Sequence, residues 1–294
     1  MKTIVVTGAR GVVGRAVLEK AAARGDIEIL ALSRRSAKTA GSPGCSKWVA
    51  TDYSENSLNE LFQGVSAVIH LAGIKGDKTD PADFKDDLKM TENVFRAAGN
   101  RSVRTVLYAS SRLVYVNPDN IPWTEDTVPE PCTAYGYNKI KCEELCRIYS
   151  NIYGYRAAAV RIAQVLSEAD HMRNMVNVFR DTASQHRQIT VIGRSIAKRQ
   201  YIYSRDLAEV LLRLTDADIN GFTIVNAGME NAYTNLEIAE AFNRAYGNEV
   251  PVNYDDSAPE TITSSIMDVS RMKGLTGYIP QDLDHALADM AARQ

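Results

Sequence analysis

The chain has 294 residues, 45% of them apolar, and a formal net charge of −2 at pH 7. That is enough chain to bury one large α/β core or two interleaved domains, and the near-zero charge argues against nucleic acid or an anionic membrane as the main partner. No apolar run approaches the roughly 20 residues of a membrane-spanning helix, and Met1-Lys2-Thr3-Ile4-Val5-Val6-Thr7-Gly8 reads straight into a strand rather than a signal peptide, so a cytoplasmic protein is expected.

In chain order, a strand is predicted over residues 3–7, a helix over 12–23, a strand over 27–32 and a third strand-like stretch over 47–51. Residues 59–62 read as helical, 67–71 as a strand, 86–98 as a helix and 104–110 as a strand. A Pro-rich loop from Asn117 to Pro131 precedes a helix over about 134–152, and 156–162 is again a strand. This alternation implies parallel strands covered on both faces. Right-handed crossovers then give a doubly wound α/β sheet, the Rossmann fold.

The second half is less regular, with helices over 173–185, 207–214, 235–246 and 283–292 and strands over 188–192 and 222–226. Thr234 and Glu237 form a capping box before the third of these helices. Residues 1–165 read as a cofactor-binding domain, rejoined by about 195–227. Residues 166–294 read mainly as a smaller, interleaved α+β substrate lobe, with the substrate cleft between the two. Of the cysteines Cys45, Cys132, Cys142 and Cys146, the last two share a helix face. No histidine lies near them in sequence, and His70, His171, His186 and His285 are scattered, so a reduced protein without a metal is expected.

Thr7-Gly8-Ala9-Arg10-Gly11-Val12-Val13-Gly14 follows a strand and opens a helix, the context that makes a glycine pattern informative. Gly8 permits the tight turn, Gly11 lets the backbone approach a pyrophosphate, and Gly14 lets the helix lie close on the strand. The free N–H groups at the helix start, through Val12 and Val13, then face phosphate. NAD-binding chains place an acid about 20 residues further on. Here the second strand ends Ala31-Leu32-Ser33-Arg34-Arg35-Ser36, which suits a 2′-phosphate, with Arg10 as a third positive charge. NADP(H) is therefore expected over NAD(H), which stays open as the second cofactor. Asp52 is read as an acceptor for the adenine amino group, with a plain turn aspartate as the alternative, and Tyr53 as its neighbour in the site. Leu71, Ala72 and Gly73 end a strand at the carboxyl edge, where small residues admit the cofactor.

Tyr135 and Lys139 are four apart at the start of a predicted helix and share a face. An ammonium beside a phenol makes an acid–base pair for a carbinol or ketone oxygen, and Ser111, ending a strand upstream, can bond the same oxygen. Tyr137 and Lys141 form a rival pair at the same spacing, and spacing alone does not choose.

The chain resembles the extended short-chain dehydrogenase/reductase family, in its nucleotide-sugar epimerase/dehydratase branch. Thr7 to Gly14 matches that branch's Thr-Gly-x-x-Gly-x-x-Gly turn, and Tyr135-Gly136-Tyr137-Asn138-Lys139 with Glu143 matches its Tyr-Gly-x-Ser-Lys followed by Glu, with Asn138 in place of serine. Ser110-Ser111-Arg112-Leu113-Val114-Tyr115 matches Ser-Ser-x-x-Val-Tyr, and Thr91 and Asn93 match a Thr-x-Asn. The stretch from Arg199 to Asp206 resembles Arg-Asp-Phe-Ile-x-Val-x-Asp. The resemblance implies Ser111, Tyr135 and Lys139 as the catalytic trio, Lys139 also holding the nicotinamide ribose. It implies Arg199 and the residue at Gln164 as substrate-phosphate ligands, and a homodimer through the helices 86–98 and 134–152.

Three departures matter. Dehydratases of this branch carry Asp-Glu after the catalytic Ser/Thr to eliminate water from the sugar, whereas this chain has Arg112-Leu113. The substrate-phosphate asparagine is Gln164, and the second diphosphate arginine is absent from Ser257-Ala258-Pro259-Glu260-Thr261, leaving Arg199 and Arg205. The leading expectation is an NADP(H)-dependent oxidoreductase, a 4-ketoreductase of a nucleotide-linked sugar. A 4-epimerase, an enzyme of a small non-nucleotide carbonyl, and a non-catalytic NADP(H) sensor stand as alternatives in that order.

Overall fold

A computed structural model describes residues 1–34, 46–74, 78–255, 257, 259 and 263–293. Arg35, Ser36, Cys45, Ala258, Glu260 and Thr261 lie outside the described residues. The strands in chain order are β1 (Lys2–Thr7), β2 (Ile27–Ser33), β3 (Ser46–Ala50), β4 (Ala67–His70), β5 (Thr105–Ser111), β6 (Arg156–Ile162), β7 (Gln164–Leu166), β8 (Thr190–Ile192), β9 (Arg199–Tyr203), β10 (Phe222–Ala227), β11 (Ala232–Tyr233) and β12 (Asn253–Asp255). The helices are α1 (Val12–Ala22), α2 (Glu55–Leu61), α3 (Lys85–Asn100), α4 (Ala134–Tyr153), α5 (Met175–Ser184), α6 (Ser204–Leu214), α7 (Asn235–Tyr246), α8 (Ser270–Thr276) and α9 (Leu283–Ala291).

Seven strands form one sheet in the order β10-β6-β5-β4-β1-β2-β3, every neighbouring pair parallel. Its strands are nearly continuous apolar runs because both faces are covered. One face packs α1 and α6 around Val17, Leu207 and Leu211. The other packs α2, α3 and α4 around Leu58, Phe95, Cys142 and Cys146. The two cysteines are thus core residues of α4. The chain order reverses between β1 and β4, the switch point where open α/β sheets hold their ligands beyond the carboxyl ends of the strands. β10 is the second half's contribution to this sheet.

The remaining elements build a separate core. α5, α7 and α9 pack around Phe179, Ile238, Phe242 and Leu287, with Tyr201 and Tyr203 of β9 on the same cluster. β9 pairs with β7 and β11, and β8 with β12. Asp206 accepts from Tyr278 Oη and Gln281 N, tying α6 to the segment before α9. Among the described residues, no helix is long and apolar enough to cross a membrane.

The glycine turn joins β1 to α1. Gly8 has φ +64°, and a Cβ there would stand 2.7 Å from Ala72 N, so the turn and the end of β4 touch backbone to backbone. A Cβ on Gly14 would stand 2.6 Å from Ala9 Cα, which is why α1 can lie this close to the turn. Gly8→Ala is expected to destabilise the protein by about 2–3 kcal/mol, the left-handed cost and the overpacking acting together; urea unfolding of the two proteins measures it.

Candidate active site

A cleft of about 940 Å³ opens over the carboxyl edge of the large sheet. Gly8, Arg10, Gly11, Ser33, Arg34 and Tyr53 line one end, Leu71, Ala72 and Gly73 its floor, and Ser111, Tyr135 and Lys139 the other end. Most of the residues expected to bind a dinucleotide, though not Val12, Val13, Gly14 or Asp52, therefore share one cavity with those expected to do acid–base work.

The first end fits a phosphate. Gly11 is the N-cap of α1, no side chain caps that helix, and no acid occupies its first turn. The amides of Val12, Val13 and Gly14 begin a helix whose positive end is uncompensated by the protein. Gly11 N instead closes the turn onto Gly8 O at 2.9 Å. Ser33 is the last residue of β2, and Arg10 stacks its guanidinium 5.9 Å over the Trp48 ring. Asp52 is exposed and its Oδ1 accepts from Ser54 N at 2.9 Å, so it stands at the start of α2 and off the cleft wall. Tyr53, by contrast, is buried at φ +60° with its Oη donating to Leu32 O.

The floor is braced from beneath. Thr7 Oγ1 accepts from Leu71 N at 3.1 Å and Ala72 N at 3.0 Å. Its own hydrogen then goes to His70 Nδ1 at 2.7 Å, leaving the His70 Nε2–H to donate to Thr91 Oγ1 at 3.1 Å. Asn93 Nδ2 donates to Tyr53 O at 2.9 Å. The Thr-x-Asn pair of α3 thus ties down two loops, one on each side of the switch point.

At the other end, α4 begins with Thr133 Oγ1 accepting from Gly136 N at 3.0 Å. A Cβ on Gly136 would stand 2.5 Å from Leu113 O, so glycine lets α4 start against the turn that follows Ser111. This close approach puts Tyr135 on the same stretch of cleft wall as Ser111. Lys139 is buried, donates from Nζ to Ala109 O at 2.8 Å, and lies 5.4 Å from the Tyr135 ring centre. Tyr137 is 58% exposed and Lys141 faces solvent, so the rival register turns away from the cleft. Ser111 Oγ accepts from Leu113 N at 3.2 Å.

Asn138, the departure from serine, is explained by a residue the sequence reading overlooked. Its Nδ2 donates to Asp87 Oδ2 at 2.7 Å, and Asp87 Oδ1 accepts from Ile74 N at 3.0 Å. A serine hydroxyl at 138 would end one bond nearer the backbone than the amide nitrogen that reaches this buried carboxylate. The available signal was position: Asp87 lies one helical turn before Thr91. Beneath Ser111, Ser110 Oγ donates to Glu143, which holds Arg161 through Nε at 3.0 Å and Nη2 at 2.7 Å. Burial disfavours the Arg161 charge, but Glu143 more than offsets this and holds it above its ordinary value. Gln164 and Arg199 sit on β7 and β9, beside the cleft rather than on its lining. Arg205 is engaged by Glu19 at 2.5 Å and Asp289 at 3.8 Å, a tie between α6, α1 and α9 rather than a substrate ligand. Among the described residues no group of side chains is arranged to hold a metal ion.

A doubly wound sheet, an uncapped helix start at its switch point and a Ser-Tyr-Lys constellation define a dinucleotide-dependent enzyme of the oxidoreductase type. Residues 4–228 match the family model described as the NAD dependent epimerase/dehydratase family, and the chain belongs to that family. It is 24% identical to GDP-L-fucose synthase of Escherichia coli (strain K12), over 97% of this chain and 94% of that one. The UDP-N-acetylglucosamine 4-epimerase of Bacillus cereus superposes with a TM-score of 0.89 at 27% identity, covering 100% of this chain and 99% of that one. A UDP-glucuronic acid 4-epimerase of Bacillus cereus, solved with UDP-glucuronic acid and NAD, shares the fold with a TM-score of 0.82 at 20% identity, over 99% and 98% of the two chains.

Burial, with the Lys139 charge adding to it, pushes His70 down to about 3, so the folded protein keeps it neutral. The unfolded chain takes up that proton near pH 6.5, and the folded chain only near 3. The stability this gives is complete above pH 6.5 and is lost as pH falls toward 3. Between pH 7.5 and 5 it amounts to about 2 kcal/mol. Urea unfolding of wild type and His70→Gln at the two pH values is expected to show that loss in the wild type only.

Proposed function

We propose that this chain is an NADP(H)-dependent oxidoreductase of a nucleotide-linked sugar, reducing a 4-keto group with Tyr135 as the acid. The observation that carries the reading is the single cleft lined by Arg10, Gly11, Ser33 and Arg34 at one end and by Ser111, Tyr135 and Lys139 at the other. Bound along that cleft, the dinucleotide supplies the hydride donor or acceptor. Ser111 Oγ holds the substrate oxygen, and Tyr135 Oη gives that oxygen its proton as charge develops there. Lys139, anchored on Ala109 O, keeps a positive charge beside the phenol and faces the nicotinamide ribose. The preference for NADP(H) rests on Ser33 ending β2 where an acid would hold a ribose hydroxyl, and on two arginines in the same wall.

Residues 1–165 with about 195–227 act as the cofactor domain, and the rest mainly as the substrate lobe; β10 in the large sheet supports this division. A homodimer through α3 and α4 is supported by Ile148 and Ile152, exposed one turn apart on α4. A second reading, a nucleotide-sugar 4-epimerase, is favoured by the full-length likeness to the Bacillus cereus 4-epimerase. A reductase consumes NADPH in step with product, whereas an epimerase turns over without added cofactor.

Tyr135→Phe is expected to cut turnover at least about a hundredfold with cofactor affinity nearly unchanged, while Tyr137→Phe leaves turnover near wild type; steady-state kinetics on a panel of nucleotide sugars checks both. NADPH is expected to bind at least about tenfold more tightly than NADH, the worth of a charge-assisted contact to the 2′-phosphate, and calorimetric titration with each measures the ratio.

A further inference from the structure

Tyr135 is the second residue of α4. A helical side chain leans back over the turn that precedes its own Cα. Tyr135 has no such turn behind it, because α4 begins at Ala134. The helix therefore fixes the Tyr135 Cα without fixing where the phenol points. Lys139 Nζ lies 5.4 Å from the ring centre, but an ammonium on a flexible stem is a poor wall for a ring.

A second ring supplies the wall. Phe84 stands with its centroid 6.3 Å from that of Tyr135 and its plane tilted by 58°, within the range of attractive aromatic pairs. It closes the single 3-10 turn Pro81–Phe84. Asp80 caps that turn, its Oδ1 accepting from Ala82 N at 2.8 Å and its carbonyl from Asp83 N at 3.1 Å. From residue 78 to residue 86 every residue but Phe84 is exposed, whereas Phe84 is only 3% exposed. Yet Phe84 belongs to neither core of the large sheet, nor to the core of the second lobe. It does not line the cleft either. A buried ring that serves none of these cores and lies against the acid is placed to act on that acid.

The next turn of both helices holds this contact in register. Asp87 follows Phe84 by three residues on α3, and Asn138 follows Tyr135 by three on α4. Asn138 Nδ2 donates to Asp87 Oδ2 at 2.7 Å, and Ile74 N donates to Asp87 Oδ1 at 3.0 Å. Sliding α3 along α4 would strip a buried carboxylate of its donors, which is costly. Phe84 is thereby kept opposite Tyr135. We infer that Phe84 is a positioning residue, seating the Tyr135 ring so that its Oη meets the substrate oxygen held by Ser111. The inference rests on Tyr135 being the acid, as proposed above.

The test is steady-state turnover of three probes: UDP-4-keto-6-deoxyglucose and GDP-4-keto-6-deoxymannose with NADPH, and UDP-N-acetylglucosamine without added cofactor. On the probe that the wild type turns over, Phe84→Ala is expected to lower kcat about tenfold or more, the scale of a misplaced reacting group. Sugar KM and NADPH affinity are expected to stay within about twofold of wild type, since the ring touches neither ligand. Phe84→Leu keeps the turn anchored and is expected to recover part of the lost turnover; it carries the comparison if Phe84→Ala does not bind NADPH. Added to Tyr135→Phe, either substitution is expected to remove nothing further from the residual turnover, because the group it positions is already gone. Wild-type kcat in both Phe84 variants overturns the inference. So does an equal fold loss in the Tyr135→Phe background, or a loss that appears only together with weakened NADPH binding; all three leave the proposed function standing. Tyr135→Phe turning over at the wild-type rate, or a wild type inert toward all three probes, overturns the proposed function and this inference with it.

Discussion

A buried ion pair between Glu143 of α4 and Arg161 of β6 holds the candidate site in register. Both of its hydrogen bonds run along the planar edge of the guanidinium, the geometry in which a buried pair offsets its desolvation. The third guanidinium nitrogen donates to Tyr115 Oη, which in turn donates toward Asn226 of β10. Ser110 completes the Glu143 carboxylate from β5. One network therefore fixes α4 against three neighbouring strands. Removing either charge leaves the other buried and alone, at a cost of about 3–5 kcal/mol. Tyr135 and Lys139 lie on α4 two and one turns before Glu143, and Ser111 follows Ser110, so the relative placement of the trio is inherited from this pair.

The opposite side of the cleft is held by neutral groups. Thr7, a neutral His70 and Thr91 pass hydrogen bonds from β1 to β4 to α3, and Asn93 clamps the backbone of Tyr53. A charged network there would put a fixed field under the floor on which the dinucleotide is proposed to lie. The cations that line the cleft stand at its two ends, Arg10 and Arg34 at one and Lys139, near the Asp87 carboxylate, at the other. This arrangement suits phosphate at one end of the cleft and proton transfer at the other.

Most of this frame was legible in the sequence because it is local. The glycine turn, the Val- and Ile-rich strands and the capping box at Thr234 each declare themselves within a few residues, and all three stand as read. Helix α2 begins four residues earlier than its periodicity suggested, because Ser54 caps it. β7 and β9 were invisible as strands: β7 is three residues long, and β9 is buried on both faces from Gln200 to Tyr203, so neither shows alternation. Their pairing depends on contacts between residues far apart in sequence. Spacing could not choose between Tyr135 and Tyr137; family resemblance selected Tyr135, and the exposure of Tyr137 agrees. Asp87 went unread because a buried acid on a helix looks, in sequence, like any solvated one.

The proposed function requires a dinucleotide to lie along one cleft with its reactive ring at Ser111 and Tyr135. A crystal structure of the protein with NADPH tests this most directly. It should place the adenosine 2′-phosphate against Arg10, Ser33 and Arg34, the pyrophosphate at the start of α1, and the nicotinamide ring beside Tyr135 and Ser111. A nicotinamide ring directed away from Tyr135, or an adenosine end seated outside the wall formed by Ser33 and Arg34, would contradict it.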